Sequence, residues 1–208
     1  MLLNVEILFG FVAATAALAI SPGPDNIFVL TLSLAKGAKK GLAVVAGLMT
    51  GCLIHTTLVA FGVSTLIKEN ENVFFIIKLL GVAYLLYLTY VVFKSEGKIE
   101  LQHSSDEKKG LVDLFKKGFW MNVLNPKVTI FFLAFFPGFL FSTSVDPVVQ
   151  FYMLGFLFIL ISAMVFGSIA LTAGTISSYI TNNPKSGVFF KWLQIVVFLA
   201  IAVYLLWS

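Results

Sequence analysis

Two short segments hold the residues best suited to chemistry: Ser21-Pro22-Gly23-Pro24-Asp25-Asn26 and Asn125-Pro126-Lys127. Both lie inside long apolar runs. A proline has no N–H, and its ring clashes with the carbonyl four residues earlier, so each segment interrupts a helix and frees backbone polar groups. In hydrocarbon those groups need internal partners or water. The half-helix that resumes near Pro24 or Asp25 presents its first N–H groups to the break, which suits an anion or a carboxylate. Asp25 can serve there as a helix N-cap, as an ionisable binding group, or as both.

Lys127 follows Lys117 by about ten residues, and Asp25 precedes Lys36 by a similar distance. At 1.5 Å per residue both charges stand roughly 15 Å from a helix end, near the middle of a hydrocarbon core about 30 Å thick. An unpaired Asp or Lys at that depth costs roughly 2.5–3.5 kcal/mol on insertion scales. The spacing therefore predicts that both face one central, partly hydrated site lined by Asp25, Asn26, Asn125 and Lys127. The alternative for Lys127 is snorkelling to an interface.

Other polar groups are fewer. His55, deep in the second apolar run, titrates near neutrality when unperturbed and is a candidate proton relay, or else a hydrogen-bonded packing residue. Cys52 and His55 share a helix face, but no further intramembrane Cys or His is present to complete a metal site, and no metal is expected. His103, with Asp106 and Glu107 nearby, sits in a polar loop. Gly47 and Gly51 form a G-x-x-x-G step, and Ala163, Gly167, Ala170 and Gly174 form a small-residue stripe; both suit close helix packing or faces that slide.

These residues must be positioned by membrane helices. The 208-residue chain is 59% hydrophobic and only 12% charged, against about 25% charged in soluble chains. Six apolar segments can be drawn, at 2–35, 41–67, 73–93, 118–141, 147–174 and 188–207, the first broken at Pro22 and Pro24 and the fourth at Pro126. The expected fold is all-α and polytopic: six spans in one domain, residues 1–93 forming a first three-helix half and 118–208 a second. The polar stretch 94–117 between them reads as a solvated cytoplasmic loop with room for some helix. An odd number of crossings per half makes the halves inverted. One offset relates both Pro22 to Pro126 and Gly51 to Gly155, which supports an internal repeat.

Every one of the 14 basic residues is Lys, which disfavours bidentate phosphate chemistry. The lysines concentrate in the loops after the first, third and fifth segments, including Lys36, Lys39, Lys40, Lys94, Lys116, Lys117, Lys185 and Lys191, with Lys68 opposite. The positive-inside bias places those loops in the cytoplasm and both termini outside. The net charge of +4 thus reports sidedness rather than nucleic-acid binding. Ala17-Leu18-Ala19 looks like a signal-peptide cleavage site, but the stretch before it carries Glu6 and no Lys, unlike a secretory leader. Lone Cys52 excludes an intramolecular disulfide.

Ser-Pro-Gly-Pro in the first segment, Asn-Pro-Lys in the fourth, six segments and this length together resemble the LysE/RhtB family of bacterial amino-acid exporters, over essentially the whole chain. The resemblance implies secondary efflux of amino acids or close derivatives across the cytoplasmic membrane, driven by the proton gradient, with no cofactor and no enzymatic step. A homodimer stays open. It also makes Ser21, Pro22, Gly23, Pro24, Asp25, Asn26, Asn125, Pro126 and Lys127 the expected substrate-binding set, with Asp25 and His55 as proton-coupling candidates. The rival readings are a cation or metal exporter of similar architecture and a non-transport membrane assembly factor. The first would need more intramembrane acids or thiols, and the second has no nucleophile with its base.

Overall fold

The computed structural model describes residues 5–21, 23–64, 71–96, 110–183 and 186–207. Among them nine helices occur and no strand. α1 (Val5–Ile20) and α2 (Pro24–Lys36) form a pair bent by 58°. α3 (Ala38–Leu58) follows at once and continues as a π-helical stretch, Val59–Val63. The turn between α2 and α3 is a single residue, Gly37, at φ +85°; a side chain there would be strained, and glycine is not.

α4 is Glu71–Lys94. α5 (Leu111–Val123) and α6 (Pro126–Ile130) are the second bent pair, α6 running on through π-helical Phe131–Phe135 and 3-10 Phe136–Phe139, with a 50° bend at the break. α7 (Pro147–Leu171), α8 (Ala173–Asn182) and α9 (Ser186–Trp207) complete the chain. Among the described residues Ala38–Val63, Pro147–Leu171 and Ser186–Trp207 are each long and apolar enough to cross a bilayer, and the two bent pairs raise the number to five. Large apolar side chains such as Phe9, Phe156 and Leu124 are about 70% exposed, as lipid-facing residues are. The chain is a multi-pass membrane protein whose helices are broken at both expected places.

Two boundaries differ from the sequence expectation. The fourth segment begins at Leu111, inside the stretch read as a polar loop. Residues 111–118 are amphipathic: Leu114 and Gly118 are buried, while Lys117 places its ammonium 4.1 Å from the centre of the Phe28 ring. Average polarity over that stretch hid a helical period. Likewise α8 occupies what was read as the end of the fifth segment and a connection; Gly167 and Gly174 have no tight neighbour, unlike the glycines of α3.

α3 is the hub. Its Gly47 lies against the carbonyl of Phe115 and its Gly51 against Asn122, while Gly118 of α5 lies against the carbonyl of Val44. On the other side Gly155 of α7 admits Thr56. The G-x-x-x-G step is thus a backbone-to-backbone seam. Apolar residues gather into two clusters. One is rich in phenylalanine, with Phe131 and Phe132 stacked on Phe135 and Phe136 at 4.4 and 4.1 Å and packed around Phe11 and Phe158. The other joins Val29, Leu32, Val44, Leu48, Leu114 and Phe166.

A methyl group on Gly47 or Gly118 has no room at this seam. Gly47→Ala and Gly118→Ala should each cost about 1–3 kcal/mol through overpacking, read as a lower thermal midpoint of the detergent-solubilised protein. Gly62→Ala, where nothing stands within 4 Å, serves as control; equal midpoints for all three would refute the seam.

Candidate functional site

Each helix break strips carbonyls of their partners, and in each a side chain answers. In the first pair, Ala19 precedes a residue, Gly23, whose backbone is extended rather than helical (φ −154°, ψ 175°). The Ala19 carbonyl instead accepts from Asn26 Nδ2 at 2.7 Å. In the second pair Asn122 stands four residues before Pro126, which has no N–H to offer. Its carbonyl accepts from the Asn125 N–H at 3.0 Å and from His55 Nε2 at 3.1 Å. A carbonyl can only accept, so Nε2 carries the hydrogen.

Asn125 joins the two breaks. Its Oδ1 accepts from the Lys127 N–H at 3.0 Å, capping α6, and its Nδ2 donates to Asp25 Oδ2 at 2.9 Å. Asp25 is therefore not an N-cap. That position is Gly23, which makes no side-chain cap bond, with Pro24 opening the helix. Asp25 instead lies in the first turn of α2, where a negative charge is favoured by the helix dipole. The N–H groups of that first turn, on Asp25 and Asn26, are ones a helix cannot satisfy internally.

Lys127 does not snorkel away. A methyl placed on Gly23 would meet its Nζ at 3.8 Å, and the same Nζ stands 5.1 Å from the centre of the buried Phe198 ring, within cation–π range. Asp25 and Lys127 act on each other electrostatically, yet the carboxylate's hydrogen bond is to Asn125, not to the ammonium.

These residues surround a cavity of about 50 Å³, lined by Gly23, Pro24, Asp25, Asn26, Asn125 and Lys127 together with Cys52, Asn122 and Ser162 and apolar residues from both clusters, among them Leu18, Leu48, Phe158 and Phe166. The polar site sits at the seam between the two apolar cores. Ser21 is fully buried behind it, Pro126 is exposed at the start of α6, and Pro22 lies outside the described residues, as do His103, Asp106 and Glu107. His55 is buried on α3, outside the cavity walls, with its ring 5.5 Å from Phe132.

A second cavity of about 640 Å³, almost wholly apolar, lies among α2, α7, α8 and α9, and Asn26 borders both. Among the described residues no three His, Cys, Asp or Glu converge as a metal site would require. Sequence reasoning missed Asn122, Ser162 and Phe198. Asn122 had a signal, since it lies four residues before Pro126, where a helical carbonyl loses its partner; Ser162 and Phe198 had none among many similar residues.

Residues 16–208 match the family model described as LysE type translocator. The chain belongs to that family. Among its relatives, the homoserine/homoserine lactone efflux proteins of Salmonella typhimurium (strain LT2) and Salmonella typhi are each 32% identical over 183 residues, covering 88% of this chain and 87% of theirs. The leucine efflux protein of Salmonella choleraesuis (strain SC-B67) is 29% identical over 172 residues, 81% of this chain and 79% of the relative. No solved structure matches. A translocator moves its cargo without altering it, so this LysE-type protein is a transporter and not an enzyme.

The double role of the Asn125 amide can be separated by substitution. Asn125→Ala loses about 1 kcal/mol from the cap and about 1.5–3 kcal/mol from the bond to a charged group. Asn125→Ser, which retains a capping oxygen but not the reach to Asp25, should recover only the cap. Thermal midpoints of the three proteins test this, and equal midpoints for Asn125→Ala and the parent would remove the clamp from the account.

Proposed function

We propose that this LysE-type translocator exports amino acids or close derivatives from the cytoplasm, with the zwitterion held between Asp25 and Lys127. The observation that carries this reading is the Asn125 bridge: it fixes a carboxylate and brings an ammonium to the same cavity without letting the two neutralise each other. An amino acid offers the complementary pair. Its carboxylate meets Lys127 and the first N–H groups of α2, and its ammonium meets Asp25. The relatives named for efflux of homoserine, its lactone and leucine agree with this substrate class.

Asp25 is the proton carrier of the proposed cycle. When it is ionised it holds the substrate ammonium; when a proton arrives from outside it loses that hold, so release and proton uptake are linked. His55 then belongs to the framework, because its Nε2–H is committed to the Asn122 carbonyl, which has no helical N–H partner at Pro126. The cavity of about 50 Å³ is far below the ~300 Å³ at which small-molecule sites begin. In the proposed cycle the bent pairs part to admit a whole amino acid.

Six spans in 3+3 inverted halves, with both termini outside the bacterial cytoplasmic membrane, complete the reading, α4 serving as the third span. Three features support it. The lysines are distributed by the positive-inside bias. The offset that relates Pro22 to Pro126 also relates Gly23 to Lys127, and these two lie side by side, as equivalent positions near a two-fold axis do. α3 packs on α5 while α7 packs on α1, the exchanged partnership an inverted repeat requires.

The test is transport in proteoliposomes. Asp25→Asn and Lys127→Ala should each lower export by about 30-fold or more, the effect of removing one partner from a buried charge pair, and Asp25→Asn should abolish the response to an imposed proton gradient. His55→Gln, which keeps a donor for the Asn122 carbonyl, should keep gradient-driven export. Full activity of either charge variant, or a His55→Gln protein that exchanges substrate but ignores the gradient, would overturn the corresponding role.

A further inference from the structure

Two residues that line the cavity carry buried polar oxygens that nothing in the protein satisfies. Ser162 on α7 is 2% exposed and its Oγ has no hydrogen-bond partner; Asn122 on α5 is 4% exposed and its Oδ1 has none either. Both residues line the wall that Asp25 lines. Leaving a buried polar atom unpaired is costly, and native proteins rarely do so without a purpose. The Thr15, Ser21, Ser33 and Ser64 hydroxyls are also unpartnered, but these residues do not line this cavity.

Asn122 is held in place on every other side. Its Nδ2 donates to Cys52 Sγ at 3.4 Å, its carbonyl is taken by His55 and the Asn125 N–H, and Gly51 leaves room for its side chain, whose Cβ and Oδ1 stand 2.8 Å from where a Gly51 methyl would lie. Because the nitrogen end of the amide faces the thiol, the oxygen end is the one left over. Asp25 has a similar remainder: Oδ2 is used by Asn125, and Oδ1 is not. The site therefore offers three acceptors, Asp25 Oδ1, Asn122 Oδ1 and Ser162 Oγ, and a primary ammonium has three N–H donors.

We infer that Asn122 and Ser162 complete, with Asp25, a three-acceptor pocket for the primary ammonium of the substrate, and that this pocket selects unmodified amines against N-methylated or N-acylated ones. The inference rests on the amino-acid reading and deepens it. An N-methyl group removes one of the three N–H donors and so leaves one acceptor unpaired. Rejection by an unpaired buried polar group is stronger than rejection by shape alone.

The experiment compares alanine with N-methylalanine as exported substrates and records thermal stability with and without alanine, for the full chain and for Ser162→Ala and Asn122→Leu. The parent should favour alanine by about tenfold or more, the effect of one hydrogen bond to a charged group. Ser162→Ala should raise the KM for alanine, narrow the preference, and lose most of the stabilisation by alanine. Without substrate it should be at least as stable as the parent, since it removes an unpaired hydroxyl. A merely structural serine would show the reverse: lower stability of the empty protein and an unchanged preference.

Asn122→Leu should narrow the preference in the same way; should it fail to fold, Ser162→Ala decides alone. Parent export of alanine with KM and preference unchanged in Ser162→Ala would overturn the pocket and leave the amino-acid reading standing. A well-inserted parent that exports no amino acid would overturn both.

Discussion

The architecture around the site depends on one side-chain amide. Asn125 uses its oxygen to cap the half-helix that Pro126 begins and its nitrogen to hold the carboxylate of Asp25 on the other broken helix. Remove either bond and the two breaks become separate defects, each with freed backbone groups and a lone charge in an apolar setting. With both in place, the breaks brace each other. The orientation of the amide is fixed by chemistry, because a carboxylate cannot donate and a backbone N–H cannot accept.

A direct Asp–Lys contact would be the simplest way to hide two charges in a membrane, and it is not what this protein uses. In the binding mode proposed above, such a pair would have to be broken for every molecule carried. Here the carboxylate is steadied by a neutral amide and the ammonium by the face of Phe198, so each charge keeps an unsatisfied side. Residues of both apolar clusters form the rest of the wall of the small cavity that the two charges line.

Much of this was legible in the sequence. Prolines inside apolar runs announced both breaks, and residue spacing directed Asp25 and Lys127 to one site, where they line one cavity. The family followed from the same two segments. What could not be read was rotation: when every face of a helix is apolar, periodicity does not say which face looks inward. That is why Ser162 and Phe198 gave no sign, and why Asp25 was left between two roles until the cap proved to be Gly23. The start of α5 at Leu111 escaped for the opposite reason, since its lysines raised the polarity of a stretch whose Leu114 is nonetheless fully buried. His55 was legible as a polar residue at depth, but its partner is a backbone carbonyl, and backbone carbonyls carry no signature in sequence.

The glycine seam has a mechanical consequence. Where Gly47 lies on the Phe115 carbonyl and Gly118 on that of Val44, the surfaces are flat against each other with no flexible side chain between them. Sliding one residue along would drive a Cβ into a peptide group, so α3 and α5 have no low-friction path past each other. They travel as one rigid body, carrying His55 and the Asn122 to Lys127 segment with them. In the transport cycle proposed above, the displacement that admits substrate then falls at joints outside this α3–α5 seam.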